Sequence, residues 1–386
     1  MIFLSIFTFS EIVLMRISLK YSFLVIIACL LLSNISYGQY EFTIDKLVAC
    51  TPVKSQDKTG TCWSFATASF LESELMKIGI EDIDLSEIYV VRNIYIDKAR
   101  NYVLRQGKAN FSQGSLSHDL IKHIGTHGII PEKFYTGKRY SDKKHDHSEL
   151  ERGLKGFLDG IIKGKTISDR WQEAFTGILD SYLGKVPEVF EVDGNKHTPK
   201  SYASSLGLNN QEYISITSFN HHPFYKEFIL EIPDNYSNGS YYNIPLDEMM
   251  EIMDFALISG YSIAWDGDVS EKGFDARKGI AVLPADDEDP ALFSEVINEM
   301  QVDQELRQQG FESYATTDDH LMHVVGIALD QNGNKFYVVK NSWGEVSPYK
   351  GYVYMSESYM RMKTISIMVN KSALPLKTSQ RLFASK

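Results

Sequence analysis

Along this chain apolar positions recur at helical spacing in some stretches and form strand-like runs in others. After Cys62, the residues Trp63, Phe65, Ala66, Phe70, Leu71, Leu75 and Met76 follow helical spacing, and Gly79 stands where such a helix would stop. His118, His123 and His127 fall in a second helix-like stretch ending at Gly128, expected at its surface or partly buried. A helix-rich part runs from Ser148 to Gly184, and Leu246 to Ile258 reads as one helix. Glu212 to Thr217 and Phe228 to Ile232 read as strands. In the C-terminal third, HLMHVVGIALD, then QNGN, then KFYVVKNSWG reads as two strands joined by a turn at Asn332-Gly333. GYVYMS and TISIMVNK continue as strands, and the tail LPLKTSQRLFASK reads as a helix with Leu376, Leu382 and Phe383 available for docking.

This order divides the chain. Residues 39–54 form a lead-in, 55–135 a helical lobe, about 136–250 an insertion, 260–375 a strand-rich lobe and 376–386 a tail. The expected class is α+β, with a cleft between the two lobes where ligand sites often lie.

Composition adds limits. With 386 residues, 44% hydrophobic and 23% charged, the chain can bury a full core. A net charge of −11 argues against nucleic acid or an anionic membrane surface as a partner, since both favour a basic face. The N-terminus carries a targeting pattern: Met15 to Lys20 as a basic segment, Phe23 to Leu32 as an apolar one, and Ser36-Tyr37-Gly38 as a cleavage site. Export with cleavage after Gly38 is the expectation, with Met15 as an alternative start. An uncleaved membrane anchor and lipid attachment at Cys29 are the other readings. Cleavage leaves only Cys50 and Cys62, too few for a disulfide framework, and a bridge between them would abolish any nucleophile.

Cys62 is the residue with chemical promise. It stands at the start of a helix, where free N–H groups and the helix dipole favour an anion, and the thiolate is the nucleophilic form of the residue. A nucleophile needs a base, and the histidines differ in what they offer. His145 and His147 sit in the charged run SDKKHDHSELER, most simply a solvated loop or helix start without the further ligands a metal needs. His221-His222, before Pro223, looks like a loop. His320 begins the first C-terminal strand and Asn341 ends the second, so antiparallel pairing brings them together. The Asn carbonyl can then hold one ring N–H and leave the other nitrogen facing a nucleophile.

Gln56, Cys62-Trp63-Ser64-Phe65, His320 and Asn341-Ser342-Trp343-Gly344 together resemble the papain-like cysteine peptidases. The flanks are closest to the bleomycin hydrolase and aminopeptidase C branch: Asp84 to Glu87, Gly128 to Pro131, Ser262 to Asp268 and Thr317 to Gly326. The resemblance covers most of the chain after Gln39. It implies a two-lobed papain-like fold with a large insertion, and hydrolysis of peptide bonds by Cys62, His320 and Asn341. Gln56 and the Cys62 backbone N–H would form the oxyanion hole, Trp63 and Trp343 would support the site, and Gly114 would lie in the strand that binds substrate backbone. His323, three residues from His320, points to the opposite face of the strand and is expected in the core or at an interface. No cofactor or metal is implied. The expected partners are peptides, without nucleic acid or stable membrane insertion, and the branch suggests a hexameric homo-oligomer. Aminopeptidase-like trimming is the leading reading; an endopeptidase of the same fold and a catalytically silent binding protein are the alternatives. The branch restricts cleavage to substrate N-termini with a longer C-terminal arm than this chain shows.

Overall fold

The computed structural model describes residues 40–139, 143–286 and 289–383; the targeting pattern, Cys29 and the end of the tail lie outside them. Strand β1 (Thr43–Leu47) leads into three helices, α1 (Cys62–Lys77), α2 (Glu87–Leu104) and α3 (Ser117–His127). Helix α1 stops where Gly79 takes a φ of +92°, a conformation that costs glycine little. Helix α2 starts at Ser86, whose hydroxyl accepts the Tyr89 N–H at 3.2 Å.

The insertion begins with α4 (Ser148–Ile161) and α5 (Arg170–Leu183). Their buried residues repeat every four positions: Leu150, Leu154 and Leu158 on one, Trp171, Phe175, Leu179 and Leu183 on the other. A single such stripe per helix packs it on the α-lobe and leaves the other face in water. A hairpin of β2 (Phe190–Val192) and β3 (Asn195–His197), helix α6 (Pro199–Ser205), strands β4 (Tyr213–Thr217), β5 (Glu227–Ile229) and β6 (Ser240–Asn243), and helix α7 (Leu246–Ile258) complete this part. The strand-rich lobe follows as β7 (Ile263–Gly267), β8 (Phe274–Asp275), β9 (Ile280–Ala281), α8 (Gln304–Glu312), β10 (His320–Leu329), β11 (Lys335–Lys340), β12 (Tyr352–Ser356), α9 (Glu357–Lys363) and β13 (Thr364–Asn370). Helix α10 (Leu376–Phe383) closes the described chain.

One large sheet runs β5-β6-β4-β13-β7-β10-β11-β12-β9-β8, antiparallel except at β4–β6 and β12–β9. Strand β10 is its pivot. Its first half pairs with β7, its second half with β1, and its other edge with β11. Gly326 lies where β1 crosses: a β-carbon there would come within 2.4 Å of the Lys46 carbonyl oxygen, so only glycine fits. Strand β4 of the insertion hydrogen-bonds to β13, which joins the insertion to the main sheet.

Three local expectations need correction. His145 and His147 are buried, because they alternate inward beside Tyr95 while Lys58 pairs with Asp146 outside. His123 is fully buried against Tyr89. In α10, Leu382 is buried and Phe383 packs on Tyr242, but Leu376 stays exposed because it faces away from the docking surface. Among the described residues no helix is long and apolar enough to cross a membrane.

Helix α1 lies on β10 and carries two buried acids, of which Glu72 is the deeper. Its carboxylate accepts from Thr51 Oγ1 at 2.5 Å and from the Leu85 N–H at 2.8 Å, with Lys54 Nζ 3.7 Å away. Lys54 also reaches Glu87 at 2.6 Å. Removing one partner strands buried charges and donors. Glu72→Ala should therefore lower unfolding stability by about 3–5 kcal/mol in a denaturant titration, and Glu72→Gln, which can keep both hydrogen bonds, by clearly less.

Candidate active site

The sequence places the nucleophile candidate at the end of an element, and the structure shows what surrounds it. Cys62 is the first residue of α1, buried, and both it and Cys50 are free thiols. Cys50 instead contacts the Tyr352 hydroxyl at 3.3 Å. The backbone N–H groups of Leu321 and Trp63 point at the Cys62 sulfur, which sets the thiol beside the first turn of β10. Trp63 is buried and its indole N–H donates to the Gln113 carbonyl at 3.0 Å, while the Gly60 N–H donates to Gln113 Oε1 at 2.7 Å. These two bonds fasten the segment ending at Gly114 to the turn that holds Cys62.

His320 and Asn341 meet as the strand pairing requires. His320 Nε2 lies 2.8 Å from Asn341 Oδ1. The Ser342 backbone N–H also donates to Asn341 Oδ1, at 2.7 Å, so that atom is an acceptor and His320 Nε2 carries the proton. Nδ1 is left as the basic nitrogen. Trp343 stacks on the imidazole with ring centres 4.6 Å apart and covers its face. His323 points the other way, into the α1 packing: Lys340 Nζ donates to Ser69 Oγ at 2.7 Å, and Ser69 Oγ donates to His323 Nδ1 at 2.8 Å. A cavity of about 10 Å³ lies beside this chain of bonds, lined by Ser69, Glu72, His323 and Lys340 among others.

Gln56 is buried and held at both ends of its amide. Ser342 Oγ donates to Gln56 Oε1 at 2.6 Å, and Gln56 Nε2 donates to the Thr59 carbonyl at 2.6 Å, leaving one amide hydrogen uncommitted. The sequence reading missed Ser342 as the residue that orients Gln56; its place directly after Asn341 is the signal that could have found it. Gly114 presents a different picture from an open strand. Its carbonyl accepts from Lys98 Nζ, and Asp234 sits over its α-carbon.

Electrostatics modify the expectation of an easily ionised thiol. Burial pushes the Cys62 thiol up to about 12, opposed by the Leu321 and Trp63 N–H groups and reinforced by Asp318 and Asp234. Burial likewise pushes His320 down to about 4, opposed by its bond to Asn341 and by Asp319. Each group alone is thus held neutral, and the helix N-terminus is outweighed by desolvation. As for metals, His221, His222 and Glu231 are the one set of three ligand groups gathered within 4.8 Å among the described residues. They belong to the insertion, where both imidazoles pair with the Glu231 carboxylate.

Comparison with known proteins follows from this geometry. Residues 188–385, just over half of the chain, match the model of the Peptidase C1-like family, and residues 41–169 match that of the papain family of cysteine proteases. Aminopeptidase C of Lactococcus lactis subsp. cremoris is 24% identical over 380 residues, covering 86% of this chain and 83% of that protein. Bleomycin hydrolase of Mus musculus is 23% identical over 376 residues, covering 84% and 81%. The crystal structure of PepW from Lactobacillus rhamnosis HN001 covers 98% of this chain and 95% of its own, with a TM-score of 0.68 at 19% identity, and so shares the fold.

If Cys62 reacts by passing its proton to His320, the two must be chemically linked. Iodoacetamide should alkylate Cys62 at pH 6 in the wild type and in His323→Ala. In His320→Ala the proton has no acceptor, and alkylation at pH 6 should fall at least ~100-fold, since even an ordinary thiol of pKa ~8.5 is less than 1% ionised there. Equal rates in wild type and His320→Ala would break the link.

Proposed function

We propose that this chain, which belongs to the Peptidase C1-like family of cysteine peptidases, trims peptides from their free N-termini with Cys62, His320 and Asn341. The observation that carries the residue roles is the fixed tautomer: Asn341 Oδ1 accepts from the His320 Nε2–H and leaves Nδ1 for the thiol. In the first half-reaction the Cys62 S–H proton moves to His320 Nδ1 as sulfur bonds to the substrate carbonyl carbon. The imidazolium then gives that proton to the leaving nitrogen as the C–N bond breaks, and a thioester and an amine result. In the second half, His320 takes a proton from water, the hydroxide oxygen attacks the thioester, and the C–S bond breaks with return of the proton to sulfur.

In this reading the free Gln56 amide hydrogen and the Cys62 backbone N–H receive the carbonyl oxygen as it becomes negative. Loss of one such donor typically costs on the order of 10²–10³ in rate, so Gln56→Ala should show a loss of that size mainly in kcat. Aminopeptidase action is favoured by the relatives, which at this identity include aminopeptidase C and bleomycin hydrolase. The expected outcome with the wild type is rapid release from free-amine aminoacyl coumarylamides and little from their N-acetylated forms, with Cys62→Ala inactive on both. Equal hydrolysis of both forms would make the enzyme an endopeptidase instead.

Export is part of the same proposal, carried by the basic and apolar N-terminal segments and Ser36-Tyr37-Gly38. N-terminal sequencing of the protein recovered outside the cytoplasm should then begin at Gln39. The homo-oligomer suggested by the branch is proposed with it, and light scattering of the purified protein reads its mass.

A further inference from the structure

The Gly114 side of the cleft holds carboxyl groups that the hydrolytic residues do not use. Asp234, on the turn before β6, lies directly over Gly114: a β-carbon on that glycine would fall 1.8 Å from Asp234 Oδ2. The loop is set there by Asn110, whose amide donates to the Pro233 carbonyl and to Asp234 Oδ1, each at 3.1 Å. Asp266 on β7 and Asp318, two residues before His320, lie within electrostatic reach of Asp234. Asp266 is buried and accepts from Ser366 Oγ at 3.1 Å. The remaining oxygens, Asp266 Oδ1 and Asp318 Oδ2, are buried and receive no hydrogen bond from any described protein donor. The two carboxyl groups meet each other instead, and burial raises both. Asp234 and Asp318 both lie within electrostatic reach of the Cys62 thiol. Lys98 is a cation among them and the main counter-charge to Asp234, and its ammonium also donates to the Gly114 carbonyl and sits over the Tyr236 ring. Natural proteins rarely leave buried carboxylate oxygens without donors. A site that gathers them beside a nucleophile is suited to receive a cationic donor from the substrate.

We propose that Asp234 closes the cleft above Gly114 and, with the Asp266–Asp318 pair, holds the free α-ammonium of the peptide substrate. A chain extended past Gly114 would run into the Asp234 carboxylate. A chain that ends there in an ammonium meets a charge-assisted acceptor. This rests on the aminopeptidase reading and supplies its specificity from the insertion, whereas the described tail is held on Glu248, Tyr225 and Tyr242. The same chemistry would accept the side-chain ammonium of a lysyl residue, so the test separates the two sources.

The test compares kcat/KM for leucyl, N-acetyl-leucyl and lysyl coumarylamides in the wild type, Asp234→Asn and Asp318→Asn. Iodoacetamide labelling of Cys62 reports that each variant is folded with its thiol reachable. Loss of a charged hydrogen-bond partner predicts a roughly 10- to 100-fold fall in kcat/KM with leucyl substrate in Asp234→Asn, with the N-acetyl substrate unaffected or improved. If the wild type strongly prefers the free amine and both variants keep that preference, the ammonium is held elsewhere and this proposal fails while the aminopeptidase reading stands. If only the lysyl substrate suffers, the cation is a side chain and the proposal fails. If the wild type does not discriminate against acetylation, the aminopeptidase reading itself is wrong.

Discussion

Everything at this site depends on the packing of helix α1 against strand β10. The helix carries Cys62 at its first position, and the strand carries His320 at its first position, so their contact sets the distance between the proposed nucleophile and base. Of the sixteen residues of α1, all but the last two are buried, which makes it a core helix enclosed nearly all round rather than a surface helix with one stripe. Such a helix has little freedom to slide. The buried bonds of Glu72, Ser69, Lys340 and His323 pin it further, because polar groups at a packed interface have satisfied partners in only one register. The cost of burying those charges is the price of that register.

The catalytic candidates were legible because each sits at the end of an element that local pattern predicts. The apolar spacing from Trp63 to Met76 places Cys62 at a helix start, and two apolar runs around Asn332-Gly333 place His320 and Asn341 at adjacent strand ends. The bond between them then follows from hairpin geometry alone. What stayed hidden is long-range. Nothing in the run Tyr213–Thr217 announces that it pairs with β13 some 150 residues later, which is how the insertion becomes part of the main sheet. The charged neighbours of His145 and His147 suggest a solvated segment, yet both imidazoles are buried, with His147 against Tyr95. Composition averages over both faces of such a segment, and burial does not. Asp234 was invisible for the same reason: PDNYSNG reads as an ordinary polar turn until its distance from Gly114 is known.

The electrostatic lesson is that a helix N-terminus does not by itself make a reactive cysteine. Two backbone N–H groups and the dipole do favour a thiolate at Cys62, but the site is closed enough that desolvation prevails, and it acts on His320 in the opposite sense. Both partners are driven toward neutrality, so ionisation of one is favourable only when the other takes the charge. Mutual attraction between a thiolate and an imidazolium is strong in such a low-dielectric setting. The chemistry therefore belongs to the pair, and the orientation imposed by Asn341, Ser342 and Trp343 matters more than the intrinsic acidity of either group.

The carboxyl groups near the thiol fit this view and sharpen it. Asp318 and Asp234 add to the penalty on a Cys62 thiolate, which is a poor arrangement for a nucleophile that must act alone. An ammonium seated between them would neutralise that field and remove the penalty at the moment a substrate is in place. A substrate without the charge would leave that field in place and the thiol suppressed. On the inference drawn above, the same residues that select a free N-terminus also make the nucleophile more ionisable once it is bound. Discrimination would then show in the chemical step as well as in binding, because the substrate's own charge completes the site.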